Sequence, residues 1–250
     1  MPTGTQAHDN QDRAAPTGRP GPRPGRQLPA WPTVLAVIAH PDDETFGLGG
    51  IIARMTGAGA AVHILCFTHG EASTVNETAA DLHATREAEL RDASAELGAA
   101  SVTLLGYPDG HLGRAAIELA AEVRSAIAAY SPHGMLVFDE TGITGHPDHQ
   151  AATRAAVNAA TQAGLPVLAW ALPATVASQL REETGQPFAG QPPDQLDLCV
   201  RADRAAQRRI ALVHASQISP TAVLWRRLQL LGDCEHLRWL RRPGQPSTRR

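Results

Sequence analysis

Two short segments of the sequence combine histidine and carboxylate side chains with proline. One spans residues 40–44 (HPDDE) and the other residues 144–149 (TGHPDH). A histidine and a carboxylate three residues apart on a turn, such as His40 and Asp43, can both reach one cation. Zinc takes imidazole nitrogen and carboxylate oxygen, and catalytic zinc sites typically use three protein ligands. His149 is therefore a candidate for the third ligand.

The remaining polar residues of the two segments are candidates for proton transfer. Because neighbouring side chains in extended backbone point in opposite directions, one of Asp42 and Asp43 is expected to bind metal while the other stays free. His146, if it is not a ligand, is available as an acid or an oxyanion donor, with Asp148 fixing its tautomer or raising its pKa. The alternative is structural, with aspartates that cap or complement the helices that follow.

The elements that must position these segments follow from the pattern of apolar residues. Runs without alternation occupy residues 34–39, 61–67, 102–105, 135–138 and 166–172, with helical spacing between them, most clearly over 115–130. Such runs are typical of strands covered on both faces. The sequence therefore predicts a doubly wound, Rossmann-like α/β fold with a mostly parallel sheet and flanking helices. In that fold, the loops after the first and fourth strands face each other where the strand order reverses.

Outside these elements, the sequence predicts two tails and a helical C-terminal region. Residues 1–30 are rich in proline, glycine and arginine, and residues 243–250 are similar, so both are expected to be disordered around a single domain over 31–242. Residues 201–242 read as two arginine-rich helices with an apolar side. That side is expected to pack internally; the alternative is a contact surface for a homo-oligomer or a large substrate. Its members are Trp225, Leu228, Leu231 and Trp239.

Composition excludes several classes of function. A net charge of -3 argues against nucleic acid as a partner, and no apolar run approaches the roughly 20 residues that span a bilayer. The 3 cysteines are widely spaced and odd in number, so no disulfide framework is expected. No signal-peptide pattern is evident, and a cytoplasmic location is the expectation.

Arg86 and Asp109 are two further candidates. Arg86 interrupts the apolar stripe of a predicted helix over residues 79–98, and a buried arginine needs a partner because an unpaired buried charge is costly. An internal salt bridge, for example to Asp109, is one interpretation. Asp109 otherwise stands in an ordinary Pro-Asp-Gly turn.

Taken together, the two segments resemble the LmbE / PIG-L family of zinc-dependent N-deacetylases. The resemblance runs from about Thr33 to Arg242 and is supported by the stretches at 68–71 (THGE), 105–110 (LGYPDG) and 214–217 (HASQ). It implies a hydrolase that removes an N-acetyl or other N-acyl group from a small glycoside or glycoconjugate containing an amino sugar. An amidase that cleaves thiol conjugates of the mycothiol type, and a non-catalytic metal- or ligand-binding protein of the same fold, are the alternatives.

The resemblance also implies a role for each matching residue. His40, Asp43 and His149 correspond to the ligands of Zn²⁺. The same set of ligands would also accept Fe²⁺. Asp42 corresponds to the general base that activates the attacking water. His146 corresponds to the residue that stabilises the tetrahedral intermediate, oriented by Asp148. Arg86 and Asp109 correspond to family residues that contact the hydroxyl groups of the sugar.

The sequence departs from the family pattern at two places near the predicted site. His69 stands where some relatives have an arginine, and Thr144 stands where some have a catalytic tyrosine. His69 and His111 are expected to border the pocket without binding metal. We expect His214, which belongs to the HASQ stretch, to have a structural or pocket-lining role.

Overall fold

A computed structural model describes residues 25–75, 81–220 and 222–247. Strands and helices alternate along most of this part of the chain. The strands are β1 (Thr33–Ile38), β2 (Ala61–Cys66), β3 (Ser101–Leu104), β4 (Gly134–Phe138), β5 (Val167–Trp170), β6 (Leu198–Arg201) and β7 (Cys234–Arg241). The α-helices are α1 (Asp43–Phe46), α2 (Gly49–Gly57), α3 (Leu82–Glu96), α4 (Ala116–Tyr130), α5 (Gly142–Gly145), α6 (Pro147–Ala163), α7 (Ala174–Thr184), α8 (Arg204–Ala211) and α9 (Val223–Leu231). Short 3₁₀ turns occupy Leu112–Arg114 and Pro193–Gln195.

Within the described ranges, all seven strands form one sheet in the order β3-β2-β1-β4-β5-β7-β6. The first five strands are parallel, whereas β7 runs antiparallel to both β5 and β6. Strand β1 lies between β2 and β4, so the strand order reverses there. The predicted α/β architecture and the predicted adjacency of the loops after β1 and β4 are confirmed.

The apolar runs form strands because both faces of the sheet are covered. On β1, Val34, Ala36 and Ile38 face one layer of the core with α2 and α3, whereas Leu35 and Val37 face the layer that contains α4 and α6. All five side chains are buried. A strand with two buried faces needs no polar alternation, which is why the runs are continuous.

The C-terminal region contains the two predicted helices, α8 and α9, but its last part differs from the prediction. Cys234–Arg241 forms β7 rather than part of a helix. Trp239 therefore lies on a strand, where it pairs with Leu168. The physical reason is the exposed edge of β5, which β7 completes with backbone hydrogen bonds.

The expectation of no disulfide is also wrong, because Cys199 on β6 is bonded to Cys234 on β7. The two residues lie 5.7 Å apart between Cα atoms on neighbouring antiparallel strands. This proximity depends on β7, which the sequence did not predict. Cys66 is free and buried, and burial raises the pKa of its thiol.

The folded part extends beyond the expected limits of 31 and 242. Gly25 bridges to Leu198, with hydrogen bonds to Asp197 and Cys199, so residues 25–30 are not a free tail. At the other end, Arg241 donates to the carbonyl of Pro246 at 2.9 Å. Residues 1–24 and 248–250 of the two expected tails lie outside the described residues. Among the described helices, none combines the length and apolar character needed to cross a membrane.

The packing of β7 predicts a clear difference between two leucines. Leu237 is 0% exposed and pairs with Trp170 and Leu198, whereas Leu212 is 56% exposed. We expect Leu237→Ala to lower the free energy of unfolding by about 2–5 kcal/mol because it leaves a cavity in the sheet. Leu212→Ala is the matched control and should change it by less than about 0.5 kcal/mol. Chemical denaturation checks this, and equal effects would contradict the position of β7 in the core.

Candidate active site

The loop after β1 separates its two aspartates, as the sequence predicts. The Asp43 carboxylate turns back under the loop, where its Oδ2 atom accepts the backbone N–H groups of Ala39 at 3.1 Å and His40 at 3.0 Å. Asp42 precedes α1 with a φ of 108° and makes no side-chain cap to that helix. The structural alternative, in which these aspartates cap α1, therefore does not describe their contacts.

The loop after β4 brings His149 to Asp43. The backbone is left-handed at Ile143, with a φ of 66°, just before α6 begins at Pro147. His149 Nδ1 lies 3.2 Å from the carbonyl oxygen of Gly142, and its Nε2 lies 3.1 Å from Asp43 Oδ1. A carbonyl on Nδ1 leaves Nε2 free to bind a metal.

Together these loops form a group that fits a metal ion. Ligand atoms of His40, Asp43 and His149 lie within 4.8 Å of one another. Two imidazoles and one carboxylate are the donor set of catalytic zinc sites, with a position left for water or substrate. His40 Nε2 also lies 3.0 Å from Asp109 Oδ1 and 3.5 Å from Asp148 Oδ2, as expected for a ligand whose second nitrogen faces carboxylates.

The charges around this group favour a cation. Burial opposes protonation of His40, but contacts with Asp109, Asp148 and Asp43 raise its pKa to about 10. Burial likewise opposes ionisation of Asp43, yet the neighbouring His149 and His40 rings hold the pKa of that carboxyl below its usual range. The raised pKa of His40 reflects the three carboxylates around it, and the lowered pKa of Asp43 shows that this carboxylate stays ionised, so the group can accept a cation.

Arg86 on α3 holds Asp42 rather than Asp109. Its guanidinium donates to Asp42 Oδ2 at 2.9 Å, to the carbonyl of Gly70 at 2.5 Å and to the carbonyl of Pro41. Gly70 is required there, because a Cβ atom would lie 1.9 Å from Arg86 Nη1. Burial raises the pKa of Asp42 to about 6 against the opposing charge of Arg86. A carboxyl with that pKa can accept and release a proton near neutral pH.

His146 caps α6 and is held in one tautomer. The backbone N–H of Asp148 donates to its Nδ1 at 3.2 Å, which leaves the proton on Nε2. Burial lowers the pKa of His146, and the nearby rings of His149 and His40 lower it further, so a neutral donor is favoured. The Asp148 carboxylate accepts the backbone N–H groups of Gly110 and Leu112 instead. The orientation expected from that carboxylate is thus supplied by the backbone of the same residue.

A cavity of about 370 Å³ opens over these residues. Its lining includes every residue predicted for metal binding, catalysis or substrate binding except Asp148, together with Thr144. These residues are His40, Asp42, Asp43, Arg86, Asp109, Thr144, His146 and His149. Asp148 is fully buried and accepts the backbone N–H group of Gly110, a residue that lines the cavity. His69 and His111, expected at its border, are not among the described residues that line it. Asp109 also accepts the backbone N–H of Ala72 at 3.0 Å.

Two features of the site were missed by sequence reasoning. Glu44 and His214 form a fully buried pair, and the backbone N–H of Asp42 donates to Glu44 Oε2 at 2.9 Å. Arg227 on α9 reaches the cavity from the C-terminal region. The HASQ stretch was a signal for the pair, whereas nothing in the local sequence marks Arg227 among its neighbouring arginines.

Comparisons with known proteins agree with this geometry. Residues 35–160 match the family model PIG-L, described as GlcNAc-PI de-N-acetylase. A 1D-myo-inositol 2-acetamido-2-deoxy-alpha-D-glucopyranoside deacetylase of Mycobacterium sp. (strain KMS) is 32% identical over 234 residues, which are 76% of each chain. The corresponding deacetylase of Rhodococcus erythropolis is 36% identical over 162 residues, 53% of this chain and 55% of that protein. The chain thus covers little more than half the length of that relative.

The fold is shared with solved deacetylases. The zinc-inhibited form of teicoplanin deacetylase Orf2 superposes with a TM-score of 0.66 at 18% identity, covering 85% of this chain and all of that one. At this identity the likeness concerns the fold alone.

The ligand geometry predicts which residues zinc binding requires. We expect the purified chain to bind about one zinc ion, and His149→Ala to weaken binding by at least about 100-fold because it removes one of three ligands. His111→Ala is the control, since this exposed histidine lies outside the cavity. Equilibrium dialysis with metal analysis measures both, and equal zinc retention would contradict the ligand assignment.

Proposed function

Because the chain belongs to the PIG-L family, we propose that it is a metal-dependent hydrolase that removes the N-acetyl group from an N-acetylglucosamine-containing small molecule. One observation carries the proposal. The three metal-binding side chains share a cavity with Asp42, a carboxylate that ligation does not use, and with His146. A protein that only stored or bound a metal would have no use for a free base and a neutral donor beside it.

Zinc is the metal that the donor set favours, and Fe²⁺ is the alternative that the same ligands accept. When bound, the ion would lower the pKa of a coordinated water and polarise the amide carbonyl. His40, Asp43 and His149 would hold it. Metal analysis of protein purified under anaerobic conditions distinguishes the two ions.

The protein residues then divide the proton transfers and charge stabilisation. Asp42 accepts a proton as water attacks the amide carbon, and Arg86 keeps its carboxylate oriented. The Nε2–H group of His146 donates to the oxygen that becomes negatively charged. When the carbon–nitrogen bond breaks, Asp42 returns the proton to the departing amine. The products are acetate and a free amino sugar, and no other reactant is needed.

The same cavity has side chains suited to a sugar. Arg86 and Asp109 line it with polar atoms, although both already contact protein groups. Its volume of about 370 Å³ is within the range of small-molecule sites. We therefore propose a monomeric or conjugated N-acetylglucosaminide as substrate, as the names of its relatives suggest.

Replacement of the base tests the reaction. Asp42→Asn preserves the shape of the side chain, and asparagine tolerates the positive φ at this position. The amide cannot accept the proton. We expect kcat for acetate release from N-acetylglucosaminyl inositol to fall by about 10²–10⁴-fold, with zinc content unchanged. Release of acetate and of primary amine is followed with zinc-loaded protein and with chelator added.

Asp92→Asn is the matched control, because Asp92 is exposed on α3 away from the cavity. Activity of Asp42→Asn close to that of the original chain would show that another group is the base. If zinc is bound but neither N-acetyl sugars nor thiol conjugates are hydrolysed, the non-catalytic alternative is favoured.

A further inference from the structure

Arg227 is a buried arginine at the wall of the active-site cavity. It lies on α9, is 9% exposed and lines the same cavity as the metal-binding group. Two contacts position it: it donates to the backbone carbonyl of Phe46, and its guanidinium carbon lies 4.9 Å from the centre of the Trp170 ring. Both partners lie on elements that also support the site, since Phe46 ends α1 and Trp170 ends β5.

No described carboxylate forms an ion pair with Arg227. The acidic residue whose charge acts on it most strongly, Glu235, is engaged by Arg204 and by Trp170 Nε1, the latter at 2.7 Å. Arg227 Nε is buried without a hydrogen-bond partner among the described residues. Burial lowers the pKa of Arg227 to about 10, so the guanidinium remains charged at neutral pH.

Two other arginines of this region, buried Arg86 and half-buried Arg204, have the carboxylate partners that Arg227 lacks. Arg86 is paired with Asp42, and Arg204 is paired with Glu235. A buried charge without a counter-charge is destabilising, because the carbonyl and aromatic contacts of Arg227 replace only part of its hydration. An anion that enters the cavity would supply the missing partner.

The surroundings of Arg227 would strengthen such an interaction. The cavity wall beside it is largely apolar and includes Phe46, Trp170, Phe188 and Val223. A charge-assisted hydrogen bond is stronger where water is excluded. The guanidinium also offers several N–H groups in one plane, which match the oxygens of a carboxylate or a phosphate.

We propose that Arg227 binds an oxyanion, a carboxylate or a phosphate, that is part of the substrate. The chain would then act on N-acylated amino sugars that carry a negative charge, and would discriminate against neutral ones. This inference rests on the proposed function, because it concerns the same cavity. The anion can belong to the group on the anomeric carbon or to the acyl group, and matched substrates distinguish these two sources.

The experiment uses pairs of substrates that differ in charge but little in shape. For the anomeric position, the carboxymethyl glycoside of N-acetylglucosamine is compared with its 2-hydroxyethyl glycoside, and N-acetylglucosamine 1-phosphate with the methyl glycoside. For the acyl position, N-succinylglucosamine is compared with N-pentanoylglucosamine. We expect zinc-loaded protein to favour the charged member of at least one pair by about 10- to 100-fold in kcat/KM, as one charge-assisted hydrogen bond would provide.

Substitution of Arg227 should remove that preference selectively. Arg227→Gln is expected to raise KM for the charged member by about 10- to 100-fold with little change for the neutral member, and Arg227→Lys should retain part of the preference. Arg226→Gln is the matched control: it removes the same charge from the adjacent residue of α9, which is paired with Glu183 through contacts of 2.6 and 2.7 Å. Thermal unfolding of each variant monitors folding.

A binding measurement separates this inference from the proposed function. The same pairs are titrated calorimetrically into zinc-loaded Asp42→Asn, with and without Arg227→Gln, so that recognition is measured even if no compound is hydrolysed. Tighter binding of a charged member that depends on Arg227 supports the inference, and the pair concerned identifies the source of the anion. Absence of any charge preference, or an equal loss for charged and neutral members in Arg227→Gln, would overturn it in favour of a structural role.

Discussion

The buried carboxylate of Asp43 is the group on which the arrangement of the site depends. A buried carboxylate must be surrounded by donors or cations. One oxygen of Asp43 is satisfied by backbone N–H groups of its own loop, at Ala39 and His40, and the other faces His149. These partners come from loops that follow β1 and β4, so the two strands must be neighbours. The reversal of strand order at β1 provides that adjacency, and the group that could hold a metal ion forms where the loops meet.

The same loop is held in a conformation that it would not adopt alone. A non-glycine residue with a φ near that of Asp42, 108°, is strained by about 1–3 kcal/mol. Arg86 offsets this strain because it binds the carbonyl of Pro41 and the Asp42 carboxylate at once. Its third contact, the Gly70 carbonyl, fixes the guanidinium itself. Arg86, which the sequence offered as a candidate for sugar binding, thus orients the Asp42 carboxylate at the wall of the cavity.

The sequence predicted the features that local pattern determines and missed those that depend on distant partners. Continuous apolar runs identified the parallel strands, and the HPDDE and HPDH segments identified the side chains that the fold brings together. By contrast, β7 (CEHLRWLR) has no continuous apolar run, and its buried residues include Glu235, which is paired with Arg204 and accepts a hydrogen bond from Trp170 Nε1. The partner of Arg86 was equally unpredictable, because Asp42 and Asp109 both lie far from it in sequence and only the folded loops select between them.

The C-terminal region completes a site whose candidate metal ligands and catalytic residues all precede it in the sequence. The family match ends at residue 160, yet His214 on the loop after α8 contacts Glu44, and Glu44 accepts the backbone N–H of Asp42. Glu89 on α3 lies on the other side of His214, 3.9 Å from its Nδ1. Burial opposes protonation of His214, but Glu44, Asp42 and Glu89 raise its pKa and so favour its protonated form. The region that contributes Arg227 to the cavity wall therefore also supports the backbone of Asp42, through His214 and Glu44.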